Sequence, residues 1–457
     1  MNPVGAALLL VLLFVVWVAP RQWALLGMMA GVIYLTEGQA IHVGGFNMFP
    51  HRFLELAAFL RVVSRGEFSF RQLNRIDKAL LWLYVFTTVV FLLRSSKGVA
   101  YQIGIAVDAF LCYFAFRGLI NSVEGFRWFL RAFVIVLLPY TLIVLTESFT
   151  HHNPFAFMGG IEGGSHWMRN GRPRCFGSFR QPDTQGMFGA TFLPLYVGMA
   201  CLFNERKRAL LGAGLCLLLA WAANAGGAAS AAATGLACWA LWRFRTRMRL
   251  VRWGIVGVIA LLDVTMKAPV WYIFARLASI TGGDGWHRSY LIDVSMQHLS
   301  QWWLSGIPIT QTAGWFPYDL DTTGGADITN QYIAFGLTAG VGAMILFILL
   351  LVRAFQELGR ALAASRVNAS QPAENEYLLW GLGVMLMVHV SNWFGITYFD
   401  QMYMVWFMQL AAVSSLAQEC CVASADSLSA TQPAAAEVAD GADAALDGQM
   451  VNPTATK

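Results

Sequence analysis

"PVGAALLLVLLFVVWVA", residues 3–19, and "QWALLGMMAGVIYL", residues 22–35, decide the class of fold. Both are apolar almost throughout, and only Pro20 and Arg21 separate them. A helix needs roughly 17 to 25 such residues to cross a ~30 Å hydrocarbon layer. Similar runs recur as far as residue 418. The first run has neither the basic flank nor the small-residue exit of a cleaved leader, so it reads as a retained span. Of the 457 residues, 57% are hydrophobic and only 12% charged, and the mean hydropathy is +0.55. A soluble fold of this length has too little interior for so much apolar surface. The expectation is an all-α polytopic integral membrane protein with about 12–13 transmembrane helices.

Charge divides the chain further. Residues 1–418 form the membrane-embedded domain. From Glu419 onward Glu419, Asp426, Glu437, Asp440, Asp443 and Asp447 stand against Lys457 alone. This Ala/Asp-rich tail, 419–457, reads as a disordered acidic cytoplasmic segment. Of the seven cysteines only Cys175 lies in a large loop, and no CxxC spacing occurs, so neither a disulfide framework nor a metal site is implied. His151 and His152 are adjacent rather than at ligand spacing. Neither metal nor cofactor is expected, nor is nucleic acid a partner.

Short basic segments stay in the cytoplasm. They lie at 61–78, 117–131, 204–208, 243–252 and 353–366, each pair separated by two apolar runs. Two long loops, 149–184 and 271–328, and the short links near 95–100, 223–227 and 395–400 fall on the opposite, outer side. The first long loop contains "RNGRPRCFGSFRQPD" (169–183), in which Arg169, Arg172, Arg174 and Arg180 stand on the side where arginine is disfavoured. The second carries Arg276 and Arg288. Long ordered loops tend to carry function. Guanidinium groups bind phosphate oxygens in pairs and remain charged, and the aromatic residues of both loops offer flat faces to sugar rings. The simpler reading of each arginine is an ion pair with Glu162, Asp183 or lipid phosphate.

Three segments carry a resemblance to a known family. "GRPRCFGSFRQPDTQGMFGATFLPL" (171–195), "RSYLIDVSMQHLSQWWLSGIP" (288–308) and "ITNQYIAFGLTAGVGAMILFILLL" (328–351) resemble, in order and on the expected side, conserved segments of the O-antigen ligase and polysaccharide polymerase superfamily. The third resembles a motif whose helix runs on through G-x-x-G into the membrane. The resemblance implies a GT-C-like fold in a bacterial inner membrane. The implied substrate is an undecaprenyl-diphosphate-linked oligosaccharide, with membrane lipid and a chain-length regulator and flippase as further partners. Ligases of this family have a histidine immediately before the asparagine of the third motif. Here that position is Thr329, followed by Asn330. Threonine takes no proton at neutral pH, so the chain looks more like a polymerase than a ligase.

Such a transfer needs the leaving diphosphate stabilised, the acceptor hydroxyl aligned and a general base supplied. Arg174 and Arg288 stand at the family's arginine positions and are the first candidates for the diphosphate. Arg172, Arg180 and Arg276 support them on loop chemistry alone. Asp327, two residues before Thr329, is the candidate base, although it would equally suit a helix cap. His287, Asn330, Tyr332 and Glu147 are supporting candidates. Asp108, Asp263 and His389 are ionisable residues within spans, which are costly there and face protein interior. Asn392, Asp400 and Gln401, in "HVSNWFGITYFDQMY" (389–403), form a polar outer cluster that closes the site. A lipid-linked-oligosaccharide flippase and a non-catalytic scaffold are the competing classes. The density of polar and aromatic residues in the outer loops favours surface chemistry over a transport path.

Overall fold

The computed structural model describes residues 1–43, 46–163, 167–273, 285–317, 324–367 and 374–447. Apolar sequence without water to satisfy its backbone must satisfy it internally, and helix is the solution taken here. The helices are α1 (Pro3–Val18), α2 (Arg21–Tyr34), α3 (Pro50–Ser64), α4 (Arg75–Arg94), α5 (Val99–Leu119), α6 (Val123–Thr150) and α7 (Pro182–Ala200). They continue with α8 (Arg206–Ala222), α9 (Gly226–Ala240), α10 (Met248–Thr265), α11 (Gly285–Gln297), α12 (Leu299–Trp302), α13 (Gln331–Val367), α14 (Glu374–Asn392) and α15 (Gln401–Asp447). Strand is confined to two short hairpins, β1 (Ile41–Val43) with β2 (Phe46–Met48) and β3 (Met168–Arg169) with β4 (Arg172–Pro173). Among the described residues five helices, α4, α5, α6, α13 and α15, are long and apolar enough to cross a membrane, and α1 is a shorter apolar helix. The chain is therefore an all-α membrane protein.

Charge pairs gather the basic segments at one end of the bundle. Arg117 meets Asp77 at 3.2 Å, Arg131 meets Glu205 at 3.4 Å and Arg127 meets Glu374 at 3.2 Å. Arg245 and Arg366 share Glu376. The long loops gather at the other end. There Asn2 Nδ2 donates to the Phe157 carbonyl at 2.7 Å and the Thr36 hydroxyl donates to that of Met158, so α1 begins at the loop end.

Two features depart from the expected layout. Glu419, assigned by composition to a disordered tail, accepts the Val123 backbone N–H at 2.6 Å at the start of α6, and α15 runs on to Asp447. Helix and packing therefore continue past residue 419, because the α6 terminus supplies a donor for the carboxylate to cap.

The second departure is in α13, which does not run smoothly through its glycines. It breaks at Ala339 and Gly340 (φ 81°). The 303–307 segment enters the break: Val341 N donates to the Trp303 carbonyl and Ile307 N to that of Leu337, each at 2.8 Å. Arg94 Nη1 adds a bond to the Leu337 carbonyl at 3.0 Å. A Cβ on Gly340 would lie 2.4 Å from the Leu304 carbonyl oxygen, so only glycine permits the approach. The backbone groups freed by the break are thus re-satisfied from the second long loop. That loop packs a small core of Leu291, Val294, Trp302, Trp315 and Phe316 against Ile333 of α13.

Candidate functional site

The arginine loop is built as a hairpin on a pedestal. Asn170 (φ 52°) and Gly171 (φ 73°) occupy the left-handed positions of a two-residue turn between β3 and β4, the backbone that Asn-Gly adopts readily. Asn224, in the turn between α8 and α9, donates from Nδ2 to the carbonyls of Arg169 (2.9 Å) and Arg172 (3.0 Å). The Arg172 guanidinium lies 4.0 Å from the Trp221 ring centroid and donates to the Trp221 carbonyl at 3.3 Å. Below the hairpin Glu147 is buried and accepts the backbone N–H groups of Phe176 (2.9 Å) and Gly177 (2.8 Å). Asn153 Nδ2 holds the Gly177 carbonyl at 2.8 Å. Cys175 is buried in the same loop, and burial pushes its thiol up to about 12. Such a thiol stays protonated and serves packing rather than nucleophilic chemistry.

Arg288 and Asp183, the partner of Arg174, meet around the start of α9. Arg174 pairs with Asp183 in the first turn of α7. One point, the position a Cβ on Gly227 would take, lies 3.7 Å from Asp183 Oδ1 and 3.8 Å from Arg288 Nη2. Gly227 is in the first turn of α9, whose N-terminus has no side-chain cap. Arg174 Nε is buried without a hydrogen-bond partner. Arg288 lies across Gly395, with its Nε 3.0 Å from the Cβ position there. Guanidinium groups beside an uncapped, glycine-rich helix start form an arrangement suited to phosphate oxygens.

The other candidates separate. Arg180 turns away from Arg174 and pairs with Asp400 at 3.3 Å. Arg276 lies outside the described residues. His287 is stacked on Phe316 (centroids 4.4 Å apart), and its Nε2 lies 3.2 Å from the Asp327 carbonyl, which brings the Asp327 backbone to the turn that carries Arg288. Asp327 is exposed and is not the helix cap. That role belongs to Asn330, whose Oδ1 accepts the N–H groups of Tyr332 (3.0 Å) and Ile333 (3.1 Å) at the start of α13. Asn330 is therefore occupied as a cap, because the helix starts at Gln331, later than Asp327 would require. Tyr332 points inward, donating to the Val390 carbonyl at 3.0 Å and packing on Phe394. Thr329 Oγ1 is buried without a partner.

The 389–403 stretch packs against the start of α13 and the first long loop. Gln331 N donates to the Trp393 carbonyl at 2.9 Å, Tyr398 N donates to Gln331 Oε1 at 2.8 Å and Gln401 Nε2 donates to the Ser178 carbonyl at 2.8 Å. His389 is buried between the Tyr398 hydroxyl (2.7 Å) and Gln409 (2.5 Å), a structural position. Asp263 lies on exposed α10, whereas Asp108 pairs with Arg52 at 2.6 Å.

Sequence reasoning missed what lies beside Asp400. Glu37, His51, Arg52, Glu55 and Asp108 meet Asp400 around one cavity. Burial and the nearby Glu37 carboxylate push Asp400 up to about 6, against the lowering pull of Arg180. The available signal was a run of ionisable residues, "HRFLE" (51–55), at the start of a short apolar segment. No protein-family model matches this chain, and no curated protein matches it significantly.

Proposed function

We propose that the chain is a membrane glycosyltransferase that polymerises a polysaccharide, moving a glycan from polyprenyl diphosphate to a hydroxyl of a second lipid-linked repeat unit. The observation that carries this reading is the meeting of Arg288 with the Arg174–Asp183 pair at the uncapped start of α9. The resemblance of the three segments, which include both arginines, supports it from the sequence side. In this reading the guanidinium groups hold the diphosphate and take up the charge that grows as its bond to the anomeric carbon breaks. The acceptor oxygen forms the new bond to that carbon and loses its proton to a carboxylate. Asp327 is the carboxylate nearest in sequence to the family motif. Asp400, near 6, is the other, suitably poised for a base at neutral pH. The reading places the outer loops in the periplasm, the tail in the cytoplasm and the chain in a bacterial inner membrane, within a GT-C-like fold of about 12–13 spans.

The test is elongation by purified protein in proteoliposomes supplied with lipid-diphosphate-linked oligosaccharide. Longer lipid-linked glycans are expected without nucleotide. Arg174→Ala and Arg288→Ala, at unchanged expression, should each lower the rate at least ~100-fold, the scale of losing one preorganised charge donor. Transfer to a lipid A core acceptor would instead make the chain a ligase despite Thr329.

One observation favours an exporter of lipid-linked sugar as the second reading. Asp108, the partner of Arg52, lies well inside the candidate span α5, and elsewhere in the bundle α13 is broken. Charged groups and helix breaks at depth are the hardware of transport. Translocation without elongation in the same vesicles would select it.

A further inference from the structure

The cavity beside Asp400 has a chemistry opposite to that of the arginine loop. It occupies about 150 Å³ between α3, α5 and the start of α15. An apolar cavity of about 150 Å³ takes up a benzene ring, so this one has room for a single six-membered ring and not for an oligosaccharide. Its walls differ from those of a benzene site. Glu37, Glu55, Asp108 and Asp400 face it together with Arg52 and His51. Aromatic side chains, Tyr84, Tyr101 and Tyr403 among them, complete the lining.

Most of these groups are already engaged. His51 Nδ1 lies 2.7 Å from Glu37 Oε1 and its Nε2 lies 3.2 Å from the Gly31 carbonyl. Arg52 donates from Nε (3.0 Å) and Nη2 (2.6 Å) to Asp108 Oδ2. Asp400 holds Arg180. Glu55 differs: its side chain is 5% exposed, and Oε2 has no hydrogen-bond partner. A buried carboxylate oxygen left unsatisfied is costly, and in a cavity wall it marks where a donor from a ligand belongs.

Four carboxyl groups face one guanidinium, itself held by Asp108, so an anion finds few donors here. A cation such as calcium needs six to eight oxygens converging at about 2.3–2.6 Å, whereas here the carboxylates are tied separately to His51, Arg52 and Arg180. Among the described residues no group of three or more His, Cys, Asp or Glu is placed to hold a metal ion. A ring bearing several hydroxyl groups satisfies every wall at once: O–H donors for Glu55 and its neighbours, oxygen acceptors for Arg52, and ring C–H faces for the tyrosines.

We infer that this cavity binds one uncharged sugar ring, the terminal residue of the acceptor glycan. The assignment to the acceptor rests on the transfer reading above; the binding of the ring does not. Arg180 connects the two sites, since it leaves the arginine loop to pair with Asp400 at the cavity wall.

The test is saturation-transfer NMR on the full chain in lipid nanodiscs. The probes are methyl glucoside, methyl galactoside, methyl mannoside, N-acetylglucosamine and glucuronate, offered one at a time. At least one neutral sugar should receive saturation on its ring protons, and glucuronate should receive none. Ile105→Trp fills the cavity from α5 and should bring the signal to background. Glu55→Gln keeps the shape, puts an amide in place of a carboxyl oxygen and should weaken binding at least ~10-fold, with thermal unfolding confirming that both variants are folded. No neutral sugar binding, equal binding by Ile105→Trp, or glucuronate binding as well as the neutral sugars would overturn the inference. Elongation assays on the same samples separate the two claims. Sugar binding without any elongation by the wild type sinks the transfer reading and leaves the cavity standing. Undiminished elongation by Ile105→Trp, with binding lost, overturns the acceptor assignment.

Discussion

Replacing Glu147 by glutamine separates a structural role from a chemical one. The Glu147 carboxylate accepts two backbone N–H groups, from Phe176 at 2.9 Å and Gly177 at 2.8 Å, and is 2% exposed. Hydrogen bonds to a charged group contribute about 1.5–3 kcal/mol each. A glutamine carbonyl keeps one of them, while its amide faces the other N–H with a donor. One bond is lost and one buried N–H is left unsatisfied, so the local cost is about 2–4 kcal/mol. Every 1.4 kcal/mol is tenfold in an opening equilibrium. Amide exchange at Phe176 and Gly177 should therefore quicken roughly 30- to 1,000-fold where it proceeds through local opening. Hydrogen-exchange mass spectrometry on peptides covering 171–181 reads this directly, with a peptide from α14 as an internal control. Glycan transfer should fall in step, because the loop that carries Arg174 loosens. Unchanged exchange with transfer abolished would refute the reasoning and return Glu147 to the list of catalytic groups.

Three further outcomes follow from the geometry. Arg172→Ala and Trp221→Ala should each loosen the hairpin, and the double variant should reveal a coupling of about 0.5–1 kcal/mol, as expected for a cation over an exposed indole ring; a coupling of zero in thermal unfolding contradicts the stacking. Asn330→Ala removes the cap of α13 and should cost about 1 kcal/mol, read as a lowered unfolding temperature in detergent that Asn330→Asp largely restores. Asp400 is pushed up to about 6 in the fold and sits near 3.9 when unfolded. Its proton is held more tightly by the folded state, so its contribution to stability is present below about pH 4 and lost as pH rises to about 6. The difference is worth at most about 3 kcal/mol. Asp400→Asn should remove that part of the slope, and parallel pH–stability curves for the two proteins would contradict it.

Hydropathy was legible because it is a short-range property. A run such as 3–19 is apolar whatever surrounds it, and water cannot satisfy its backbone inside a bilayer, so helix follows. The "RNGR" segment read only as part of a loop, and its hairpin appears with the structure. The grouping of basic segments was legible too, since alternating spans bring every second loop to the same end, where the structure finds Arg127 with Glu374 and Arg245 with Glu376.

Partner choice was not legible, because it depends on which helices pack together. Arg174 and Arg180 are six residues apart and chemically identical in sequence, yet one meets Asp183 and the other Asp400. Glu147 read as a candidate catalyst until the fold laid the Phe176–Gly177 backbone across it. The break in α13 exists because Trp303 and Ile307 arrive to satisfy the opened backbone, a contact that no window of residues 331–367 contains. The cavity beside Asp400 draws on residues from 37 to 407. Apolar length alone determined that this protein is a bundle of membrane helices. Which charges meet at its loop end was decided only by tertiary packing, because a long side chain takes its partner from whatever the neighbouring helices bring within a few ångströms.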